Sequence, residues 1–404
     1  MLLAKKIRIN VSPRDAETLE FMQAKCRALY NWHLGQLKAG AKWSLYDAKK
    51  TLQQSRVIDP DINAVYGKLL HEVFFRLDEA MKAFFRRVKA GEAPGFPRYH
   101  ARGKFFTLKY PGMYLRVEGH TLILPTGGRG KTKRLADIQA RLTETPPTPF
   151  REVAITKDAE GHYYATFLSE TQQFPLQADE GCAMAYDLGI KTLATGYSTT
   201  GRFLHIGGFT AYRWYNKQLD KIRSLRSRFQ KGSRRYRYLT QVYHRVSEQK
   251  RRKQRDSLHK ASAFLTRQAE RAIVLGDLSQ QQMVQKSQNV TKRTKGLHRS
   301  VQNEWGLYQF VQMVQYKAQR NGKTVYIISE RYTSKDCSGC GTRQDMPLWK
   351  RTYHCPQCGL VMDRDENSAR NILARFLARL GPYPERDDVL VTIQVPPREG
   401  DSAI

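Results

Sequence analysis

Four cysteines near the C-terminal end of the chain have the spacing of a metal site. They form two pairs, Cys337 with Cys340 and Cys355 with Cys358, and 14 residues separate the pairs. Four thiolates at this spacing match the tetrahedral shell of structural zinc. Because four protein ligands leave no position open for water, we expect one zinc ion that stabilises a ribbon and takes no part in catalysis. Four reduced cysteines without a metal are the alternative.

Acidic residues at the ends of predicted elements could bind magnesium. Asp187 ends a buried strand in the segment YDLGIKTLATG, and Asp363 and Asp365 precede a helix in DRDENSARNIL. Taken alone, an acid at a strand end is usually a cap or an exposed turn residue. Two Mg²⁺ ions can stabilise both the attacking and the leaving oxygen of a phosphodiester displacement, and these hard ions require oxygen ligands. Such chemistry needs at least three carboxylates.

The order of elements after residue 180 could bring these acids together. Three strands come first, and they are followed by long helices, a strand over 271–275, a helix, a strand over 323–329, the cysteine pairs and a helix over 366–379. This order resembles that of a ribonuclease H-like fold. In that fold, acids from the first strand, a later strand and the last helix converge on two metal ions.

The first half of the chain predicts a different architecture. AKKIRINVS alternates basic and apolar residues as a strand does, residues 13 to 90 show helical periodicity, and short strands return before residue 175. Because one strand precedes the helices and the others follow them, we expect a β-barrel into which a small helical bundle is inserted.

The charge of the chain indicates a polyanionic partner. Lys and Arg number 69 against 37 Asp and Glu, a formal net charge of +32, and residues 211–260 contain 17 Lys or Arg against three acids. Nucleic acid is the first partner to consider, because a surface of this sign can follow a phosphate backbone. An anionic membrane is the alternative, but no run approaches 18 apolar residues and no signal-peptide pattern is present. We therefore expect a cytoplasmic protein of a prokaryote, associated with the nucleoid.

A set of short motifs resembles a known family. The motifs are YDLGIKTLATG, VLGDLS, RYTSKDCSGC, CPQCG and DRDENSARNI, with KAFFRR and GFPRY upstream. Together they resemble the transposon-encoded TnpB family, relatives of the type V CRISPR effectors, over roughly residues 1 to 380. The resemblance implies an RNA-guided DNA endonuclease that carries an RNA from its transposon's end. It would read a short motif beside its double-stranded target and cut both strands at one RuvC-like site, as a monomer on its guide RNA.

The resemblance also implies a domain organisation. It predicts a RuvC-like nuclease domain of the ribonuclease H-like fold, with a zinc ribbon inserted, and an N-terminal wedge-type β-barrel with an inserted helical recognition domain. The corresponding limits are 1–11 and 92–178 for the barrel, 12–91 for the helical domain, 179–332 and 361–380 for the nuclease, 333–360 for the ribbon, and 381–404 for a flexible tail.

One position departs from the family pattern. Many members have Glu where this chain has Gly276, and Asp277 is a poor substitute because neighbouring residues of a strand point to opposite faces. The strand that ends at Ser329 should lie about 4.8 Å from the strand that ends at Leu275. We therefore predict that Glu330 replaces the missing carboxylate at the same end of the sheet.

These acids could also have structural roles. Glu330 could instead cap its strand or pair with Arg331 or Lys335, and Glu304 is a weaker candidate that fits a helix start. For the third ligand the family pattern D-x-N-A matches the segment DENSA, which favours Asp365 and leaves Asp363 as a hydrogen-bonding neighbour.

The resulting prediction is a site in which Asp187, Glu330 and Asp365 bind two catalytic Mg²⁺ ions. By resemblance only, the helix around residues 66–76 is the candidate for reading the adjacent motif, with Lys68 and His71 as contacts to bases or phosphates. The alternative is that both of these side chains face solvent.

Two other functions remain open at this stage. A nuclease-dead, RNA-guided repressor would explain Gly276. An unguided RuvC-like transposase or junction resolvase would share the fold and the metals, but the net charge fits a bulky RNA better than a simple junction. Co-purification of an RNA with a defined end would separate the guided functions from the unguided one.

Overall fold

The chain forms two compact units, Met1–Thr171 and Gln172–Ile404. The computed structural model describes residues 2–128, 133–171, 182–189, 192–208, 210–268, 271–277, 306–347 and 349–379. Glu304 and the predicted tail, 381–404, lie outside the described residues. None of the described helices is long and apolar enough to cross a membrane.

The helices of the first unit follow its first strand directly. Ser12 begins the first helix by accepting a hydrogen bond from the backbone N–H of Asp15 at 3.1 Å, and Pro13 occupies the first helical position. Ser44 caps the second helix in the same way, through the N–H of Asp47. The elements are β1 (Leu2–Asn10), α1 (Pro13–Lys38), α2 (Leu45–Ile58), a 3-10 helix (Pro60–Ala64) and α3 (Gly67–Lys89).

Seven antiparallel strands form one curled sheet in this unit. The first strand β1 lies between β7 and β5, and the sheet order is β2-β6-β7-β1-β5-β4-β3. The helical bundle is therefore inserted between strands of a single sheet, as the sequence predicted. The strands are β2 (Leu108–Pro111), β3 (Arg116–Glu118), β4 (Thr121–Leu124), β5 (Ile138–Leu142), β6 (Glu152–Lys157) and β7 (Tyr163–Glu170).

The core of the first unit lies between this sheet and the helices. Alternate residues of β1 and β7, such as Ile7, Ile9 and Phe167, are buried in the same cluster as Met22 of α1 and Phe74 of α3. The period of two in the strands turns one face of the sheet toward the helices. Burial of this face joins the sheet and the helical bundle into one unit.

The second unit contains a five-stranded sheet with the order β10-β9-β8-β11-β12. Strands β8, β9 and β10 are antiparallel, whereas β11 runs parallel to both β8 and β12. The carboxyl ends of β8, β11 and β12 therefore meet at one edge of the sheet. The elements are β8 (Ala183–Leu188), β9 (Thr192–Ser198), β10 (Phe203–Gly207), α4 (Tyr212–Ser227), α5 (Arg234–Gln268), β11 (Ala272–Asp277), α6 (Leu307–Arg320), β12 (Thr324–Ser329), β13 (Thr352–His354), β14 (Val361–Asp363) and α7 (Arg364–Arg379).

Both faces of this sheet are covered by helices, which explains the continuous apolar sequence of β11. Ile273 and Leu275 pack in one cluster with residues of α5 and α6. Ala272 and Val274 pack in the other cluster, with Phe376 of α7. Helix α7 is thus fixed against the sheet.

Candidate active site and zinc centre

The four cysteines come together as the sequence predicted. All four sulfur atoms lie within 4.8 Å of one another, with Cys337 Sγ 3.6 Å from Cys358 Sγ and Cys340 Sγ 3.5 Å from Cys355 Sγ. Zn–S bonds of about 2.3 Å would place neighbouring sulfur atoms of a tetrahedron about 3.8 Å apart. The cluster can therefore hold a metal ion such as zinc.

Each cysteine pair sits in a tight turn that ends in glycine. The N–H groups of Gly341 and Gly359 donate to the carbonyls of Cys337 and Cys355, at 2.9 and 3.1 Å. Both glycines have positive φ, at 78° and 73°. Side chains rarely adopt this backbone conformation, which explains why glycine follows each cysteine pair.

Two asparagines of α7 fasten the start of the cysteine module to this helix. The side-chain N–H groups of Asn367 and Asn371 donate to the Asp336 carbonyl at 2.8 and 2.7 Å. Asn367 is fully buried and also accepts from the N–H of Ser338 at 2.9 Å. Sequence reasoning missed both residues. Their signal was two asparagines four positions apart, which share one helix face.

Asp187 occupies the end of β8, where two other acids converge on it. Burial raises the pKa of Asp187 well above its ordinary value, and the charges of Glu330 and Asp365 raise it further. The nearby Arg364 and Arg351 guanidinium groups act in the opposite direction. The structure thus gathers all three acids that the sequence singled out at one edge of the sheet.

Glu330 follows β12 directly, and its carboxyl group lies over Gly276 of the neighbouring strand. A Cβ atom on Gly276 would stand 2.5 Å from Glu330 Oε2 and 3.3 Å from Glu330 Cβ. The carboxyl group therefore occupies the space that any side chain at position 276 would need. The parallel register explains the proximity, since Gly276 pairs with Ile328 and Asp277 pairs with Ser329.

The surroundings of Glu330 disfavour its charged form. Burial, and then the charge of Asp277, raises the pKa of Glu330 to about 7. Its Oε2 atom is buried and makes no hydrogen bond within the part of the chain that the structure describes. Lys335, considered as a partner for Glu330, pairs with Asp345 at 2.7 Å. A buried carboxylate oxygen without a donor is well suited to bind a cation.

Asp365 lies in the first turn of α7 and is held by the cysteine module. Arg351 Nη1 stands 3.0 and 3.2 Å from its two carboxylate oxygens. Asp363 Oδ1 accepts a hydrogen bond from the N–H of Asp365 at 2.8 Å, so Asp363 is the hydrogen-bonding neighbour that the sequence indicated. Sequence reasoning missed Arg351, which lies in a loop before the second cysteine pair and carries no motif.

The three acids are more widely spaced than the ligands of a single ion. Within the described residues, groups of three or more ligand atoms that all lie within 4.8 Å of one another occur at the four cysteines and at Asp158, Glu160 and His162. The acids at the sheet edge do not form such a group.

Positive charge accumulates around the predicted nucleic-acid contacts of the first unit. Lys68 is exposed and His71 is half-buried on the first turns of α3. Burial lowers the pKa of His71, and the charges of Lys49, Lys68 and Arg56 lower it further. Three cations therefore surround this histidine, and such a group can attract a phosphate or an electronegative base edge.

Helices α4 and α5 carry the basic stretch of the second unit on their surface. Arg213, Lys217, Lys221 and Arg223 are all exposed on α4. Arg223 also donates to the hydroxyl of Tyr243 on α5 at 3.1 Å. These side chains are available to a polyanion.

Comparisons with known proteins agree with the motifs. The family model described as Cas12f1-like, TNB domain matches residues 308–372, and the IS605 OrfB model described as "Probable transposase" matches residues 166–300. A Streptomyces pristinaespiralis protein named "Putative RNA-guided DNA endonuclease" is 32% identical over 56% of this chain and 53% of its own length. A TnpB-like protein of Acanthamoeba polyphaga mimivirus is 30% identical over 39% of this chain and 29% of its own length.

The resemblance to the TnpB family is confirmed. The chain spans about half, or less, of the length of these curated relatives. The Cas12f1 chain in the cryo-EM structure of a Cas12f1–sgRNA–target DNA complex has a similar fold, with a TM-score of 0.59 and 10% identity. That likeness covers 92% of this chain and 98% of the Cas12f1 chain.

Proposed function

We propose that this protein is an RNA-guided DNA endonuclease of the TnpB type, with Asp187, Glu330 and Asp365 as its catalytic residues. The observation that carries the proposal is the position of Glu330. Its carboxyl group fills the space above Gly276, at the edge where Asp187 and Asp365 also lie. Glu330, directly after β12, would thus replace the glutamate that many family members have on β11 at the position of Gly276.

The residues present suit Mg²⁺ as the catalytic ion. All three side chains offer hard carboxylate oxygens, and Glu330 Oε2 is buried without a donor in the described structure. Asp187, Glu330 and Asp365 would hold the ions. When bound, two Mg²⁺ ions supply Lewis-acid stabilisation of the attacking and leaving oxygens of the phosphodiester.

The surrounding residues prepare the three acids for this role. Burial, and then the charges of Glu330 and Asp365, raise the pKa of Asp187, so a cation that enters the site stabilises its charged form. Before the ions bind, Arg351 forms an ion pair with Asp365. Once Asp365 binds an ion, the guanidinium group of Arg351 can contact the scissile phosphate. Asp363 holds the first turn of α7, and thereby the backbone of Asp365, in place.

The fold supports the nuclease assignment. The strand order β10-β9-β8-β11-β12, with α7 packed on one face, is that expected for the ribonuclease H-like RuvC domain. We assign the curled seven-stranded sheet to the wedge-type barrel, the helices α1 to α3 to the recognition domain, and the four cysteines to one structural zinc ion.

Guide RNA and target DNA are the proposed partners. The exposed cations of α4 and α5 would bind RNA or heteroduplex backbone, since such complexes are gripped through charge and shape. Lys68 and His71 would contact the DNA motif beside the target. The solved Cas12f1 relative is a complex with sgRNA and target DNA, which favours the same class of partners here.

Cleavage of a matched plasmid tests this proposal. The protein is co-expressed with its native flanking RNA and incubated in Mg²⁺ with a plasmid that carries target and adjacent motif. We expect wild type to cut, and Glu330→Ala to bind the plasmid without cutting. Binding without cleavage by the wild type would instead identify a nuclease-dead repressor. Purification without a defined RNA would favour the unguided activity that the description "Probable transposase" suggests.

A further inference from the structure

The turn between β6 and β7 in the first unit contains a second group of metal-ligating side chains. Ligand atoms of Asp158, Glu160 and His162 all lie within 4.8 Å of one another. The group combines an imidazole with two carboxylates, a mixture that suits zinc and related divalent ions. It lies in a different unit from both the four cysteines and the three acids at the sheet edge.

The spacing within this group fits a shared ion better than hydrogen bonds. His162 Nδ1 is 3.4 Å from Asp158 Oδ2 and also 3.4 Å from Glu160 Oε2. Hydrogen bonds between a charged imidazole and a carboxylate are shorter, about 2.7–2.9 Å. A tetrahedral ion with ligand bonds of about 2.0–2.1 Å places neighbouring ligand atoms about 3.3 Å apart.

The imidazole nitrogen that faces the two carboxylates is otherwise unused. His162 Nδ1 is buried and makes no hydrogen bond in the described part of the chain. A buried ring nitrogen usually has a hydrogen-bond partner or a metal. His162 Nδ1, which is equally distant from the two carboxylates, therefore has no hydrogen bond in the described structure, although it is buried.

Asp158 is held rigidly in the orientation that a ligand needs. Its Oδ1 accepts the backbone N–H groups of Glu160 and His162, both at 2.9 Å, and its Oδ2 accepts the hydroxyl of Tyr164 at 3.0 Å. Burial alone would raise the pKa of Asp158, but these hydrogen bonds outweigh it and lower the pKa. Metal-binding carboxylates commonly have such outer hydrogen bonds, which fix their direction.

The two carboxylates are also poorly exposed for a surface turn. The exposed side-chain fractions are 8% for Asp158 and 17% for Glu160. A cation that enters between the two carboxylates is therefore little screened by solvent and is attracted by both. A neutral His162 would join them as a ligand.

We propose that Asp158, Glu160 and His162 bind one divalent transition-metal ion of the zinc class. The ion fastens the turn between β6 and β7, so this protein carries a second metal centre in addition to the four cysteines. Three protein ligands leave a further coordination position for water.

Metal counting on the full chain tests this proposal. The protein is purified without a histidine tag, stripped with a chelator, and titrated with Zn²⁺ in excess Mg²⁺, which keeps the three acids at the sheet edge occupied, while bound zinc is measured by atomic emission. We expect two zinc ions per wild-type chain and one per chain in His162→Ala and in Glu160→Gln. The matched control His120→Ala, an exposed histidine of the same unit, should keep two.

Cobalt distinguishes the two centres from each other. Co²⁺ bound by the four cysteines gives an intense thiolate-to-metal charge-transfer band, whereas the Asp158–Glu160–His162 site adds only weaker d–d absorption. His162→Ala should keep the first signal and lose the second, which also shows that the variant is folded. One zinc per wild-type chain, or two in His162→Ala, would overturn the proposal. Neither result bears on the nuclease activity.

Discussion

Gly276→Ala should disable cleavage by displacing the carboxyl group of Glu330. The new Cβ would stand 2.5 Å from Oε2, about 0.9 Å inside the 3.4 Å at which ordinary contacts begin. The carboxyl group, as the flexible end of its side chain, would move by about 1 Å, and a misplacement of this size costs about 100-fold in rate. Stability should fall by no more than about 2–3 kcal/mol, because replacing a strand glycine stabilises by about 0.4–1 kcal/mol and overpacking costs about 1–3 kcal/mol.

The assay compares initial rates of plasmid cleavage by the guide-loaded protein with its affinity for the target. Gly208→Ala is the matched control, because its Cβ would meet only Leu193 Cβ, at an ordinary 3.6 Å. Cleavage by Gly276→Ala at the wild-type rate would refute the assigned position of Glu330.

Three further predictions follow from contacts at the site. Because burial raises the pKa of Glu330 from 4.5 to about 7, its ionisation destabilises the metal-free fold as pH rises through that range. Glu330→Gln should therefore raise the melting temperature by several degrees at pH 8 and hardly at all at pH 5; equal shifts at both pH values would contradict this. Arg351→Ala should slow cleavage at least tenfold with unchanged target binding, since the arginine contacts Asp365; weaker binding instead would indicate a role in DNA capture. Asn367→Ala should cost about 1–3 kcal/mol, measured by denaturant unfolding, because the Ser338 N–H loses its acceptor whereas Asn371 still donates to the Asp336 carbonyl; Asn10→Ala, on the exposed end of β1, is the control and should cost little.

The sequence predicted those parts of the site that depend on strand order and local spacing. The cysteine pairs carry their own geometry, so their convergence needed no knowledge of the fold. Glu330 could be predicted because the parallel strands β11 and β12 end at the same edge of the sheet. Its short distance from Gly276 then follows from the spacing between paired strands. The limits proposed for the individual domains stay predictions.

The parts of the site that the sequence did not predict depend on contacts between distant segments, which neither hydrophobic periodicity nor a motif connects. Arg351 reaches Asp365 only because a loop of the cysteine module folds against the first turn of α7. Asn367 resembles an ordinary polar helix residue until the packing places it under the Asp336 carbonyl. The group around His162 lies in a turn that reads as a simple hairpin connection. Such contacts are fixed by tertiary packing, which outweighs local preference.

The collision between a side chain at position 276 and the carboxyl group of Glu330 also constrains how such a chain can diverge. A glutamate at 276 can be accommodated only if the Glu330 carboxyl group leaves its present position, so the two positions are coupled. A chain with glutamates at both positions would need a shifted carboxyl group at 330, and a chain with neither would lack this acid altogether. In an alignment of related chains, positions 276 and 330 should therefore be interpreted together. A glycine at 276 indicates a lost active site only if the residue at 330 is also not an acid.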